Sequence, residues 1–179
     1  FGTLFSLAVT TMLSYVLSRP DYPYGRILTL MLLFTMLFNG GMVPSYMVNT
    51  QLLGLRDSVW ALIFPMSLNA FYVIVLRTFF RGIPLEIIEA AHIDGAGEFR
   101  TFLQVVLPLS KPGVATIGLF TVIAYWNDWF LGMLYIFETE KYPIQTLLQS
   151  MQNSLEALSQ SSVNALEYAQ MAQNAPTDS

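Results

Sequence analysis

The chain has 179 residues, of which 54% are hydrophobic and 11% charged, with a formal net charge of −4, one His and no Cys. Soluble domains carry about a quarter charged residues, so this balance, together with a mean hydropathy of +0.53, argues against a soluble single domain. The absence of Cys excludes a disulfide framework and a thiolate metal site. The single His92 has no second ligand at metal spacing, which excludes a zinc centre. There is no phosphate-binding Gly-x-x-x-x-Gly-Lys-Ser/Thr run and no Ser/His/Asp or Cys/His set, so neither ATP binding by a P-loop nor catalysis is expected, and the few basic residues argue against nucleic acid.

A bilayer core needs about 20 apolar residues in helix, and four segments approach that length: 1–17, 27–48, 59–80 and 113–137. The fold expected is therefore an all-α, polytopic membrane protein. The first segment is short either because the chain opens inside it or because it is an interfacial helix, and the polar end beyond residue 138 brings no closing span, so truncation at both ends is the expectation. In the second, Asn39, Gly40, Gly41 and Pro44 predict a break before the outer end. Such a break is tolerated only where the freed backbone is buried or wet. From Val59 to Leu76 the third carries no charge, with Trp60 near one end and Arg77 and Arg81 at the other, the flanks of a true span. Asn69 lies mid-span and is expected to bond a neighbouring helix, with a ligand contact as the alternative.

Orientation follows from Lys and Arg. The loops around 18–26 and 77–112 hold Arg19, Arg26, Arg77, Arg81, Arg100 and Lys111, whereas those around 49–58 and 138–179 hold only Arg56 and Lys141. The positive-inside rule then places the first and third loops in the cytoplasm. The last segment, with Glu138, Glu140, Glu156, Glu167 and Asp178, lies outside. Its stretch 150–173 disperses Leu155, Leu158, Val163, Leu166 and Met171 among polar residues, the pattern of amphipathic helices forming a solvated cap or a receptor surface.

The loop at 81–112 is the most organised part of the sequence. Pro84 suits the first turn of a helix, Glu86 complements its dipole, and Ile87, Ile88 and Ala91 share a face. Gly95 and Gly97 offer the left-handed backbone that ends a helix and turns the chain. Phe99, Phe102, Leu103 and Val106 then recur at the spacing of a second amphipathic helix, until Pro108 and Pro112 interrupt it. Two helices joined by a glycine turn make a rigid knob.

In the fourth segment Asn127 and Asp128 lie about fifteen residues from Gly113, or roughly 20–24 Å along a helix. At that depth polar groups face a cavity or another helix, with Trp126 and Trp129 beside them. An aromatic interfacial belt with a hydrated Asp128 is the alternative.

Glu89-Ala90-Ala91, three residues, Gly95, nine residues, Val105, one residue and Leu107-Pro108 resembles the EAA loop of ABC-importer permeases, with Val105 in place of Ile. Asp94-Gly95-Ala96, the run from Gly40 to Pro44, Leu53-Gly54-Leu55 and the run from Trp126 to Phe130 are similar to the carbohydrate-uptake, maltose-permease-like branch. The resemblance covers roughly 29–147. It implies a bacterial inner-membrane, multi-pass permease subunit that forms the path for a sugar or oligosaccharide and has lost the first and last of six spans. The acidic tail resembles more closely the branch importing complex or uronate-containing oligosaccharides. Implied coupling residues are Glu89, Ala90, Ala91, Asp94, Gly95, Leu107 and Pro108, and candidate path residues are Asn69, Trp126, Asn127 and Asp128. Implied partners are a cytoplasmic ATPase dimer, which carries the ATP, a second permease, an extracytoplasmic solute-binding protein and membrane lipid. A secondary transporter or a non-transporting scaffold subunit is the alternative; the first would ordinarily show inverted repeats and ionisable residues at the midplane.

Overall fold

The computed structural model describes residues 1–38 and 40–173, and within them all regular structure is helical. The chain forms two compact units, Phe1–Asn127 and Asp128–Ser179. The first holds α1 (Gly2–Ser18), α2 (Gly25–Leu37), α3 (Met42–Met47), α4 (Val59–Ile63), α5 (Ala70–Arg81), α6 (Leu85–Ile93), α7 (Glu98–Thr101), α8 (Leu107–Leu109) and α9 (Lys111–Asn127). A π-helical turn follows α3 at Val48–Leu52, and another joins α7 to α8 at Phe102–Val106.

Helices α1, α5 and α9 form the body of this unit. Ser14 Oγ donates to the Val73 carbonyl at 3.0 Å and Arg77 Nε to the Leu17 carbonyl at 2.9 Å, so α1 and α5 run parallel. The rings of Tyr72 and Phe120 stack at 6.3 Å, and Gly113 abuts the Phe79 ring, so α9 runs against them. Gly113 is required there: a Cβ would stand 2.7 Å from Phe79 Cγ. The apolar core lies at one end of the bundle, where Tyr15, Leu76, Phe80, Ile88, Phe102, Val106 and Ile117 meet.

Along α1 and α2 the burial pattern is inverted relative to a water-soluble bundle. The buried face of α1 is largely hydroxylic, with Ser6, Thr10, Thr11, Ser14 and Tyr15, while Phe1, Leu4, Met12 and Val16 are exposed. Helix α2 buries only Gly25 and exposes Ile27, Leu30, Met31, Phe34 and Leu37. Small and hydroxyl residues between helices with large apolar residues outside is what packing in lipid requires, because lipid supplies no hydrophobic drive to bury them.

The expected spans are not single helices. Among the described residues no helix alone is long and apolar enough to cross a membrane, but two pairs bent by more than 40° pass together, Gly25–Leu37 with Met42–Leu52 and Glu98–Leu109 with Lys111–Asn127. The break expected in 27–48 falls between Leu37 and Met42, with Gly41 at φ +86; Asn39 lies outside the described residues. The stretch 59–80 is divided because Pro65 supplies no N–H and Asn69 caps a new helix: its Oδ1 accepts from the N–H of Phe71 at 2.9 Å and of Tyr72 at 3.4 Å. The stretch 113–137 is divided after Asn127.

In the second unit α10 (Phe130–Tyr135) and α11 (Ile144–Gln173) flank a 3-10 turn at Thr139–Lys141. Gly132 lets α11 approach, since a Cβ there would collide with Thr146 Oγ1. Thr146 Oγ1 donates to the Trp129 carbonyl at 3.1 Å. The stretch 150–173 lies in this one continuous helix, which exposes Leu147, Leu148, Met151, Leu155, Leu158 and Val163. The side chains of Leu166 and Met171, and Asp178 entirely, lie outside the described residues.

Candidate coupling knob and path residues

The knob forms as two helices and a turn. Pro84 is the N-cap of α6, one position before the first turn, and Glu86 stands within that turn. The helix closes in a Schellman arrangement: the Ala96 N–H donates to the Ala91 carbonyl at 2.9 Å and the Gly95 N–H to the His92 carbonyl at 3.0 Å. Gly95 adopts φ +80 with open space around it, so its constraint is backbone conformation and not room. Gly97 does not share this role; its φ of −73 is ordinary.

The second helix runs through Pro108 and stops at Leu109. The π turn makes this possible, because it routes the Leu107 N–H to the Phe102 carbonyl and widens the ladder where the proline ring would otherwise clash. Leu107 packs against the core and Pro108 is exposed.

The apolar faces of the knob are distributed differently from the sequence expectation. Ile88 is 5% exposed and belongs to the core, whereas Ile87 is 41% exposed. Phe102 and Val106 are buried, but Phe99 and Leu103 are not. Ile88, Phe102 and Val106 therefore fasten the knob to α1 and α5, and Leu85, Ile87, Ile93, Phe99 and Leu103 are left on its outside. Glu89, Ala90 and Asp94 are exposed, and Ala91 is half-buried.

Sequence reading missed Glu98. Its Oε2 accepts a hydrogen bond from Tyr15 Oη at 2.5 Å, and its Oε1 lies 2.9 Å from Arg19 Nη2 and 3.4 Å from His92 Nε2. Burial would push this carboxyl up, but the Tyr15 hydrogen bond and the charges of Arg19 and His92 outweigh it and hold it below the usual carboxylate range. The Tyr15 ring also lies 5.0 Å from that of Phe102. A polar node thus ties the start of α7 and the end of α6 to the end of α1. Nothing local in the sequence marks it, since Tyr15 and Glu98 are 83 positions apart.

The path candidates fall in two places. Asn69, Trp126 and Asn127 stand at the end of the first unit opposite the knob, as the parallel α1–α5 and antiparallel α9 require. Asn69 is exposed, and its capping bonds are local, so the expected bond to a neighbouring helix is replaced by a cap. Trp126 is 63% exposed and Asn127 ends α9. The same end carries Phe1, Phe5, Trp60 and Phe64 in edge and tilted ring contacts. Asp128 opens the second unit, where it accepts from the Leu131 N–H at 3.3 Å and so caps α10. Among the described residues no group of three His, Asp or Glu is placed to hold a metal.

The family model for the binding-protein-dependent transport system inner membrane component matches residues 3–165. The polygalacturonan/rhamnogalacturonan transport system permease protein YtcP of Bacillus subtilis is 45% identical over 148 residues, 83% of this chain and 51% of that protein. The diacetylchitobiose uptake system permease protein NgcG of Streptomyces coelicolor is 33% identical over 135 residues, 73% and 44% of the respective chains. The crystal structure of a bacterial ABC transporter involved in the import of the acidic polysaccharide alginate superposes with a TM-score of 0.80 at 36% identity, covering 84% of this chain and 53% of that one. The chain spans about half the length of the curated relatives it matches. A match over 3–165, joined to an EAA-type knob folded as a unit, places the chain in the family of binding-protein-dependent transport system inner membrane components.

Proposed function

We propose that this chain is the core of a multi-pass permease subunit of an ATP-driven importer, and that the knob α6–α8 is where a separate ATPase docks. One observation carries the reading. The residues of the EAA-type pattern form a rigid projection fastened by Ile88, Phe102 and Val106, and that projection leaves Glu89, Ala90, Ile87 and Ile93 outward. Exposed small residues permit close approach, and apolar neighbours supply the contact area that a docking helix needs. The chain is a transport component and not an enzyme; the ATP belongs to the partner. A second permease to complete the path and a solute-binding protein outside are the remaining partners.

The substrate class we infer is an oligosaccharide, acidic in character. Two similar proteins carry names of polygalacturonan/rhamnogalacturonan transport and alginate import, and the candidate path end offers Trp126 for ring stacking with Asn69 and Asn127 as neutral hydrogen-bonding groups. The test uses the full-length protein with its partners. Replacing 85–97 by a flexible linker should abolish co-purification of the ATPase and uptake while membrane insertion persists; retained ATPase association would overturn the docking reading. Uptake of labelled oligogalacturonides and alginate fragments against neutral oligosaccharides tests the substrate class, and exclusive uptake of the neutral set would overturn it.

A further inference from the structure

At the knob end of the bundle, a cavity of about 490 Å³ opens between the end of α1, the start of α2 and the end of α5. Arg26, Arg77 and Arg81 line it together with Leu17, Pro20 and Leu30, and no Asp or Glu does. Arg19, also at its wall, is engaged by Glu98. Arg77 is held by its bond to the Leu17 carbonyl, which uses only Nε and leaves the rest of the guanidinium to the cavity. Neither Arg26 nor Arg81 has an acidic partner among the described residues. Arg77 and Arg81 stand one helical turn apart, a like-charge spacing that is unfavourable unless an anion lies between them.

The cavity is also continuous with an apolar ridge. Leu30, Phe34 and Leu37 recur at i, i+4 and i+7 on α2 and are 58%, 60% and 79% exposed. A ligand seated here meets guanidinium groups at one end and a strip of hydrocarbon leading away from them. We propose that this cavity is a binding site for a phosphodiester anion, and specifically for the headgroup of an anionic phospholipid whose acyl chain lies along α2. Guanidinium pairs phosphate oxygens in bidentate fashion, and basic pockets between helices at the cytoplasmic face suit anionic headgroups. The ridge distinguishes the lipid from free phosphate, which has no use for it. The inference rests on the reading of this chain as a membrane permease with the knob end cytoplasmic.

The test is native mass spectrometry of the full-length permease in its assembled complex, equilibrated with equal amounts of phosphatidylglycerol and phosphatidylcholine. Phosphatidylglycerol should be retained preferentially. Each basic residue near an anionic headgroup is worth about fivefold in affinity, so Arg26→Gln and Arg81→Gln should each lower retention by about that factor, and the double variant by more than tenfold. Phosphatidylcholine retention and an Arg56→Gln variant at the opposite end should show no change. Arg77 is left intact because it bonds Leu17. Equal retention of the two lipids, or unchanged phosphatidylglycerol retention in the double variant, overturns the proposal. Displacement of the lipid by millimolar inorganic phosphate overturns the lipid in favour of the free anion. A failure of the permease reading would appear separately, as a Glu86→Cys reporter on α6 that reacts only from outside the cell.

Discussion

The two ends of the first unit are built on opposite physical terms. At the knob end, Ile88, Phe102 and Val106 pack into the core with Tyr15 and Phe80, and a carboxylate is shared by a tyrosine and two bases. At the other end Asn69 is spent on a helix cap, and the aromatic residues Phe1, Phe5, Trp60 and Phe64 contact one another in pairs. The knob is held by several independent contacts, and packed interfaces of that kind move as bodies and do not deform gradually.

That contrast predicts how each end fails. The largest effect is expected from Gly95→Val. A β-branched side chain at φ +80 costs on the order of 1–3 kcal/mol of backbone strain, and the Schellman turn that aims α7 would be lost. Uptake should be abolished and ATPase co-purification greatly reduced, while insertion in the membrane continues; full transport by this variant would remove the knob from the mechanism.

Breaking the Glu98 node should come next. Glu98→Arg and Arg19→Glu should each cut uptake by about tenfold, and the charge-swapped pair should recover part of it, because the pairing and not the identity of either residue holds the knob; such coupled residues are non-additive. Glu98 is half exposed, its side chain 57% accessible, so the direct contribution to global stability is small, roughly 0–1 kcal/mol. Its pH dependence has a definite sign. The folded carboxyl is held below its ordinary value of 4.5, so the stabilisation is fully present above that value and disappears as pH falls through the lowered one. Measured against the intrinsic rate at each pH, hydrogen exchange of 85–93 should accordingly be unchanged near neutrality and accelerate only in acid. In Glu98→Gln the acceleration should already be present at neutral pH.

Smaller effects are expected from Asp128, in the second unit, and from Glu89, on the outside of the knob. Asp128→Ala removes the cap on α10, which costs about 0.5–2 kcal/mol, and should lower uptake several-fold with ATPase assembly intact. Asp128→Asn, which restores the cap without charge, separates the two roles: recovery of uptake means capping alone, and continued loss means that the charge is used. Glu89→Ala is expected to be the mildest, since Glu89 is exposed and any ion pair it made with a docked ATPase would contribute roughly 0–1 kcal/mol; a loss as large as that of Gly95→Val would show that Glu89 is buried on docking.

The helical class, the apolar character and the helix–turn–helix of the knob were legible in the sequence because each depends on near neighbours. Pro84, Gly95 and the i, i+3, i+4 pattern of 99–106 act within a turn or two of themselves. What could not be read was which apolar residues of the knob turn inward. Ile87 and Ile88 are adjacent and chemically identical, and only the position of α5 and α7 buries the second. Nor did the count of apolar residues reveal that 59–80 is two helices. Hydropathy is blind to Pro65 as a missing donor, and Asn69, expected to bridge helices, instead caps the helix that follows it.

The sequence by itself determined that this protein is helical, apolar on its outside and equipped with an EAA-type loop, because composition, glycine and proline conformations and short-range periodicity are properties of the chain alone. Only the tertiary structure decided that Tyr15 and Arg19 meet Glu98, and that Arg26, Arg77 and Arg81 surround one cavity. Those groups come from segments tens of residues apart, and their meeting depends on the parallel packing of α1 on α5, which hydroxyl bonds such as that of Ser14 to Val73 fix in register.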